Sequence, residues 1–302
     1  MTVSNRYFQQ VQDKQLMIDL ACRFQESHLH VVDLPYRLSS WALDDAENIR
    51  LWMDGEELVA WAVLQSPFWA MDYVCHPDYH ASLHKEILAW ADGRAQAMVG
   101  TPFERPAWFV NVFSGQESRR SDLEAMGFAC QSDVGEDSWS KVFMRLSSQS
   151  ETKPIEPPAG FIVRPLGGDV DRYVELHQSV FESKNMTLDW RRRTLQNPLY
   201  RPELDLVVES PTGELAAFCI CWFNEKTSAG QVEPLGVHKD YRQLGLGKVA
   251  LSHGLSRLRA MGAKDIFVET DNYRNEAFNL YQSQGFEVIQ DVLVYRKDLL
   301  GN

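Results

Sequence analysis

Two glycines that follow a predicted strand, Gly245 and Gly247, mark the part of the sequence with the clearest capacity for chemistry. They close the segment Glu233-Pro-Leu-Gly-Val-His-Lys-Asp-Tyr-Arg-Gln-Leu-Gly-Leu-Gly-Lys248, whose pattern predicts a strand, a turn and a helix that begins at Leu246. Glycine lets backbone N–H groups approach a ligand, and a helix start presents four unpaired N–H groups and the positive end of the helix dipole. The segment therefore predicts a binding site for an anion, most naturally a phosphate.

Two known nucleotide-binding patterns contain similarly placed glycines, but this segment departs from both. A nucleoside-triphosphate loop needs a first glycine and a final Ser or Thr at positions that hold Arg242 and Val249. A dinucleotide fingerprint fits the two glycines and Ala250, and the next strand offers an acidic residue in Glu269 or Asp271. That fingerprint expects its first glycine close behind the strand, whereas residues 238–244 intervene here.

The spacing Arg242-x-x-Gly245-x-Gly247 after a strand that ends in Leu-x-Val resembles the acetyl-coenzyme A pyrophosphate loop of the Gcn5-related N-acetyltransferases (GNAT). A second segment, Asn275-Glu-Ala-Phe-Asn-Leu-Tyr-Gln-Ser-Gln-Gly-Phe286, resembles the signature Asn-x-x-Ala-x-x-Leu-Tyr-x-x-x-Gly-Phe of the same family, in the order and spacing that the family shows. Gln243 and Lys239 stand where the family often has Gly and Pro, but neither removes a backbone N–H group.

The resemblance implies how acetyl-coenzyme A would be held as co-substrate, with no metal. The thioester arm would follow the strand end, where Gly236 allows close approach and the N–H of Val237 donates to the carbonyl. Backbone amides from Gln243 onward would hold the pyrophosphate, with Arg242 and Lys248 as charge partners. The predicted cofactor-binding residues are Leu235, Gly236, Val237, Arg242, Gln243, Leu244, Gly245, Leu246, Gly247, Lys248 and Asn275. For Asn275, a simple helix cap is the alternative.

Tyr281 and Glu233 are the predicted catalytic residues. Acetyl transfer to an amine requires a proton donor for the departing sulfur, and a phenol can serve within hydrogen-bond reach. The alternative for Tyr281 is a tyrosine packed at a helix end. Glu233 shares a strand face with apolar residues, which predicts a base acting directly or through water. A satisfied buried carboxylate, or a role in acceptor binding alone, remains open for Glu233, and Glu269 is the second candidate base.

Composition limits the class of protein. The 302 residues are 44% apolar and 24% charged, typical of a globular chain long enough for two domains. A net charge of −12 argues against a nucleic-acid partner and is compatible with a cationic acceptor. The five cysteines form no paired framework, and no secretory or membrane-spanning pattern is present, which predicts a cytoplasmic protein without a membrane partner.

An internal repeat predicts the architecture. His76-Pro-Asp-Tyr-His80 aligns with His238-Lys-Asp-Tyr-Arg242 at an offset of 162, and Met126-Gly-Phe128 aligns with Gln284-Gly-Phe286 at an offset of 158. Serine and proline between the halves indicate a linker. We predict a mixed α/β (α+β-like) chain of two tandem GNAT-type domains, each a mostly antiparallel sheet flanked by helices. The predicted bounds are 1–146, 147–160 for the linker and 161–302, and tandem chains with a degenerate first half resemble the mycothiol synthase type of bacterial acetyltransferase.

The first half is predicted to lack the chemistry. The repeat places Leu83 and Lys85 where the second half has its two glycines, and Glu117 and Leu123 where it has Asn275 and Tyr281. We therefore expect the first half to bind no coenzyme A and to shape the acceptor pocket or a subunit interface, which leaves a homodimer open. His76, His80 and His84 are spaced four apart, but a predicted break between strand and helix argues against a metal site.

These patterns together predict an acetyl-coenzyme A-dependent N-acetyltransferase that modifies an amine of a small molecule by direct attack in a ternary complex. Two alternatives remain open: a non-catalytic acyl-coenzyme A binder or sensor, and a dinucleotide-binding enzyme.

Overall fold

The computed structural model describes residues 3–9, 11–132, 140–271 and 275–299. Contacts divide the chain into two compact units: the first holds Met1–Val142 and Gln290–Asn302, and the second holds Phe143–Ile289. No helix in the described ranges has the length and apolar character that crossing a membrane requires.

Thirteen strands and eight α-helices are present in the described residues. The strands are β1 Ser4–Tyr7, β2 Ile49–Asp54, β3 Glu57–Gln65, β4 Ala70–Cys75, β5 Ala107–Phe113, β6 Ala129–Cys130, β7 Ser140–Leu146, β8 Ile162–Pro165, β9 Asp205–Glu209, β10 Leu215–Asn224, β11 Ala229–Val237, β12 Asp265–Asp271 and β13 Glu287–Asp298. The helices are α1 Val11–Arg23, α2 Leu34–Arg37, α3 His80–Ala97, α4 Glu117–Ala125, α5 Val170–Phe181, α6 Leu188–Leu195, α7 Leu246–Ala260 and α8 Asn275–Ser283.

The first unit is built on a mixed sheet. Strands β1 to β4 pair in sequence as antiparallel neighbours, and a hairpin at Asp54-Gly55 joins β2 to β3. The pairing of β4 with β5 is parallel. Helix α3 covers this sheet and buries Leu83, Ile87 and Leu88, which are 4%, 0% and 1% exposed. The predicted mixed, mostly antiparallel sheet is therefore confirmed for this half.

The C-terminal strand β13 contributes to the first unit. Its residues from Val292 to Asp298 pair antiparallel with β5. The compact units therefore assign residues 290–302 to the first unit, and Phe143–Leu146 to the second, where the ring of Phe143 stacks on Phe267 at 5.1 Å. An alternating pattern specifies which face of a strand is buried, but it does not name the partner strand.

The second unit has the same kind of sheet, with β8, β9, β10 and β11 paired antiparallel and β11 paired parallel with β12. Helix α7 packs on this sheet through an apolar face of leucines at helical spacing. Leu251, Leu255 and Leu258 on that face are 0%, 1% and 0% exposed. Burying three leucines typically contributes about 1.5–3 kcal/mol for each side chain, and this holds the start of α7 beside the end of β11.

The internal repeat is visible in local geometry. The imidazole Nδ1 of His76 accepts from the N–H of Asp78 at 3.2 Å, and Nδ1 of His238 accepts from the N–H of Asp240 at 3.3 Å. Helices α4 and α8 occupy matching ranges at the offset of 158, and each is followed, two residues after its end, by a glycine, with φ of +86° and +87°.

The repeat is broken at the glycine loop. Helix α3 begins at His80, the counterpart of Arg242, whereas α7 begins four residues later, at Leu246. The counterpart of Gly245 is Leu83, which is buried in the core. The first unit therefore has helix where the second has an open turn, a larger change than the two side-chain replacements predicted from the sequence.

Candidate active site

Strands β11 and β12 separate part of the way along their length. They pair at Ala229↔Asp265, Gly230↔Ile266 and Gln231↔Phe267, and no further pair joins them in the described residues, although β11 runs to Val237. On its other side β11 stays paired with β10 as far as Val237↔Ala217. One edge of β11 therefore opens into a gap between two strands, where backbone N–H and C=O groups need another partner.

A β-bulge lies where the strands separate. Cys219 pairs with Leu235 and Cys221 pairs with Val232, so Glu233 and Pro234 together lie opposite one residue of β10. The indole Nε1 of Trp222 donates to the carbonyl oxygen of Glu233 at 2.9 Å. A bulge bends a strand and changes the direction of its side chains. The bulge thus accounts for the departure of β11 from its parallel neighbour.

Burial alternates along the open end of β11. Glu233, Leu235 and Val237 are half-buried, whereas Pro234 and Gly236 between them are buried. A Cβ at Gly236 would lie 2.5 Å from Phe218 and 2.7 Å from Val180. The packing of these two side chains requires glycine here, a reason that differs from the predicted approach of a cofactor arm.

The turn before α7 exposes a row of backbone donors. Gly245 caps the helix with φ of +76°, a left-handed conformation that side chains rarely adopt, and its carbonyl accepts from the N–H of Val249 at 3.1 Å. Within the described ranges, the N–H groups of residues 243–248 have no acceptor. Gly247 faces Val237, since a Cβ there would lie 3.2 Å from its Cγ2 atom. The donors therefore lie beside the open end of β11.

The surroundings of this turn are cationic and exposed. Arg242, Gln243, Leu244 and Lys248 are exposed, while Leu246 is 1% exposed and anchors the helix. Neither Arg242 nor Lys248 forms an ion pair with a described residue. Backbone N–H groups at a helix start with two cations nearby are the donor set that a diphosphate requires. The residues present therefore fit the diphosphate of a coenzyme.

Tyr281 lies on α8, next to this region. It is 6% exposed, and its ring meets Phe286 edge to face at 5.6 Å. Burial raises the pKa of the Tyr281 phenol well above its usual value, and the carboxylate of Glu233 raises it further. Tyr281 therefore keeps its proton at neutral pH and can donate it but cannot act as a base.

The two predicted carboxylates lie at the same level of the diverging strands. Glu233 is two residues beyond Gln231, and Glu269 is two residues beyond Phe267, its partner in the last pair. Both side chains are half-buried. Glu233 and Glu269 thus flank the gap between β11 and β12. The predicted residue Asn275 begins α8, but its side chain lies outside the described residues.

A buried charged cluster that the sequence analysis missed lies behind β10. Arg191 and Asp205 form an ion pair with both side chains 0% exposed, and the hydroxyl of Tyr200 donates to Asp205 Oδ2 at 2.7 Å. The Arg191 guanidinium covers the ring of Tyr173 at 4.1 Å, and the Tyr173 hydroxyl has no partner among described residues. Asp205 comes directly before three apolar residues at the start of β9, and this is the sequence signal that could have identified it.

Comparisons with known proteins agree with this geometry. A sequence model of the acetyltransferase (GNAT) family matches residues 170–286. A mycothiol acetyltransferase of Kineococcus radiotolerans is 37% identical over 138 residues, which are 42% of this chain and 43% of that protein. One of Thermobispora bispora is 28% identical over 155 residues, 47% of this chain and 52% of that protein. The chain thus spans about half the length of the relatives it matches.

Solved structures extend the similarity of fold to the whole chain. A GCN5-related N-acetyltransferase from Sphaerobacter thermophilus has a TM-score of 0.67 at 18% identity and covers 98% of this chain and 95% of its own. A tandem GNAT protein from the clavulanic acid biosynthesis pathway has a TM-score of 0.68 at 13% identity and covers 100% of both chains. The predicted fold class, two GNAT-type domains in tandem, is confirmed. The sequence match to the acetyltransferase (GNAT) family lies in residues 170–286, within the second half of this chain.

Proposed function

We propose that this protein is an acetyl-coenzyme A-dependent N-acetyltransferase that acetylates an amine of a small molecule by direct attack in a ternary complex. One observation carries the proposal: a row of open backbone N–H groups at the start of α7 lies beside the edge of β11 that β12 has left. A diphosphate and an extended thioester arm are the two parts of one coenzyme that this pair of features suits.

The turn and the strand have separate tasks in this proposal. Backbone amides of residues 243–248 bind the diphosphate, and Arg242 and Lys248 add charge-assisted contacts. The open edge of β11 offers main-chain partners to the arm, and the N–H of Val237 donates to the thioester carbonyl. A donor aimed at that oxygen stabilises the negative charge that develops there during acyl transfer. Acetyl-coenzyme A supplies the activated acetyl group.

Tyr281 acts as the general acid. Because burial and nearby negative charge raise its pKa, the phenol holds its proton until a stronger base forms next to it. A thiolate released in the same buried place is such a base, since burial disfavours its charge as well. Tyr281 therefore protonates the leaving sulfur and prevents the reverse reaction.

Glu233 acts as the base for the incoming amine. Its half-buried carboxylate lies at the bulge, on the strand that carries the proposed carbonyl donor. Deprotonating an ammonium group there, directly or through water, produces the neutral amine that attack requires. Glu269, at the same level on β12, is the alternative base. If Glu233 is the base, the role of Glu269 is to bind the acceptor.

The acceptor is a small amine. The relatives carry the name mycothiol acetyltransferase. Thiol-sugars of the mycothiol type are therefore the first acceptors to test. Helices α5 and α6, with Tyr173 and Arg191, lie in the part of the second unit where we expect specificity. A cytoplasmic location and a homodimer stay predictions.

An acetyl-transfer screen tests the proposal, with release of free thiol as the readout. The panel contains thiol-sugars, amino acids, polyamines, aminoglycosides and protein N-termini, and thermal shift with acetyl-coenzyme A or NAD is measured in parallel. We expect stabilisation by acetyl-coenzyme A and thiol release with at least one amine. Stabilisation by NAD alone would contradict the proposal, and stabilisation by acetyl-coenzyme A without thiol release from any acceptor would reduce it to a binding protein.

A further inference from the structure

The first unit contains a small pocket of its own. It lies among the residues after α1, the strands β4 and β5, and α4, and its walls include His28, Met71, Tyr73, Asn111 and Arg119. Its volume is about 40 Å³, which is room for about three waters. All of its lining residues belong to the first unit.

Arg119 is a buried positive charge in this pocket. Its side chain is 9% exposed, and its Nη1 atom donates to the carbonyl oxygen of Ser27 at 3.0 Å and to Gln116 Oε1 at 3.4 Å. No carboxylate among the described residues lies within ion-pair distance of it. Buried charges are ordinarily paired, because removing a charge from water is costly. The Arg119 guanidinium lies 5.4 Å from the centre of the Tyr73 ring, but it lacks the anionic partner that its burial calls for.

The other charged wall residue is already balanced. Asp72 binds Arg37 through two hydrogen bonds of 2.7 and 2.8 Å, with side chains 7% and 6% exposed. A balanced pair of this kind adds no net charge to the walls. Arg119 is thus the unbalanced charge among the residues that line the pocket.

Two further polar groups at the walls lack partners. The Nε2 atom of His28, a residue that is 5% exposed, and the Oδ1 atom of Asn111 have no hydrogen-bond partner in the described residues. Burial and the charge of Arg119 lower the pKa of His28 well below its usual value, so the ring is neutral and can donate from one nitrogen. The Asn111 amide can present its NH₂ group to the pocket if it is turned over.

The tyrosine in the wall is already engaged. The hydroxyl of Tyr73 lies 3.0 Å from His84 Nε2, and His84 Nδ1 lies 2.7 Å from Asp122. Burial lowers the pKa of His84 to about 4, so this chain holds a neutral imidazole at neutral pH. The donors left for a ligand are therefore those of Arg119, His28 and Asn111.

The repeat shows that this pocket and the second unit's site carry different charges at equivalent positions. The last residues of β4 and β5 align with the last residues of β11 and β12 in the repeat. At these offsets Met71 replaces Glu233, and Asn111 replaces Glu269. The first unit thus has no carboxylate at either position and adds an arginine nearby, which favours an anion where the second unit favours a cation.

We propose that the first unit binds a small carboxylate with a short apolar tail, its carboxylate on Arg119, His28 and Asn111 and its tail against Trp61 and Met71. The apolar walls are buried, with Trp61 1% and Met71 4% exposed. They accommodate a methyl or ethyl group better than the oxygens of an inorganic anion. This site is independent of the acetyl-transfer proposal for the second unit.

Ligand-observed NMR titration of the full chain with acetate, propionate and phosphate tests the site. We expect saturable binding of acetate and propionate, and weaker binding of phosphate. Arg119→Gln should reduce carboxylate affinity at least about tenfold, since hydrogen bonds to charged groups are among the stronger ones. Arg23→Gln is the matched control, because Arg23 lies on the same unit, is 50% exposed and pairs only at the surface with Glu57.

A second variant keeps the test valid if Arg119→Gln does not fold. His28→Leu replaces a buried polar ring that lacks one partner with a side chain of similar size, so stability should be kept while carboxylate affinity falls. Circular dichroism checks the folding of each variant. Absence of saturable carboxylate binding, tighter binding of phosphate than of propionate, or equal binding by wild type and the folded pocket variants would overturn the proposal.

Discussion

Gln231 pairs with Phe267 in the last described pair between β11 and β12, and the bulge at Glu233 begins two residues later. Strand β11 is paired with β12 up to Gln231 and separates from it beyond that residue. The paired part of β11 therefore fixes the position of the part that is open on one edge. The main-chain edge beyond Gln231 is available to a ligand without any strand having to move. This is the preorganisation that an acyl-transfer site needs.

Gly245→Glu should abolish binding of acetyl-coenzyme A. The new side chain strains a turn with φ of +76° and places a negative charge at the proposed diphosphate site. Gly262→Glu is the matched control, because Gly262 follows the other end of α7, has φ of +96° and also faces open space. Isothermal titration calorimetry measures both. Equal affinity in the two variants would refute the assignment of the loop.

Tyr281→Phe should lower kcat by about 10²-fold or more while leaving the Kd for acetyl-coenzyme A nearly unchanged, because general acid catalysis typically contributes that much. The phenol oxygen is lost, but the ring still packs against Phe286. Since the pKa of Tyr281 is raised above its usual value, wild-type kcat should show no loss through tyrosine ionisation below about pH 10. Full activity of the variant would remove Tyr281 as the acid.

Acid should destabilise the second unit in part through His177. Burial, and secondarily the charge of Arg191, lowers the pKa of its imidazole to about 3, so the folded state holds it neutral, while the unfolded chain binds a proton below about pH 6.5. The contribution of neutral His177 to the free energy of unfolding is therefore present above pH 6.5 and is lost as the pH falls toward 3. Near pH 5 the loss is about 2 kcal/mol.

His177→Phe tests this acid dependence, because the ring already stacks on Phe218 at 5.7 Å and phenylalanine cannot bind a proton. Urea unfolding of variant and wild type at pH 7 and pH 5 gives the comparison. The variant should lose less unfolding free energy between the two pH values. An identical loss in both proteins would show that His177 does not titrate as inferred.

Asp205→Asn should lower the free energy of unfolding by about 3–5 kcal/mol, because it leaves the fully buried Arg191 without its counter-charge. Replacing both partners with leucine should cost less, since no charge then remains buried. Denaturant unfolding of the single and double variants measures the difference. If the double variant were less stable than Asp205→Asn, the explanation would be different. The loss of stability would then come from losing a favourable ion pair and not from leaving a charge uncompensated.

Local patterns in the sequence determined much of the second unit. Gly245, the leucine face of α7, and the helix that carries Tyr281 all follow from periodicity and from positions that need a left-handed conformation. The repeat likewise predicted the matching ends of α4 and α8, because the same short segments encode the same helix ends.

Only the tertiary structure decided which distant segments meet. The separation of β11 from β12 depends on a bulge at Glu233, and Gly236 is required by Phe218 and Val180 from other elements. The C-terminal strand pairs with β5, a strand far away in the sequence. Arg191 is buried against Asp205, and no local pattern predicts that these two side chains meet. Periodicity specifies a buried face, whereas partners and register depend on the packing of the whole fold.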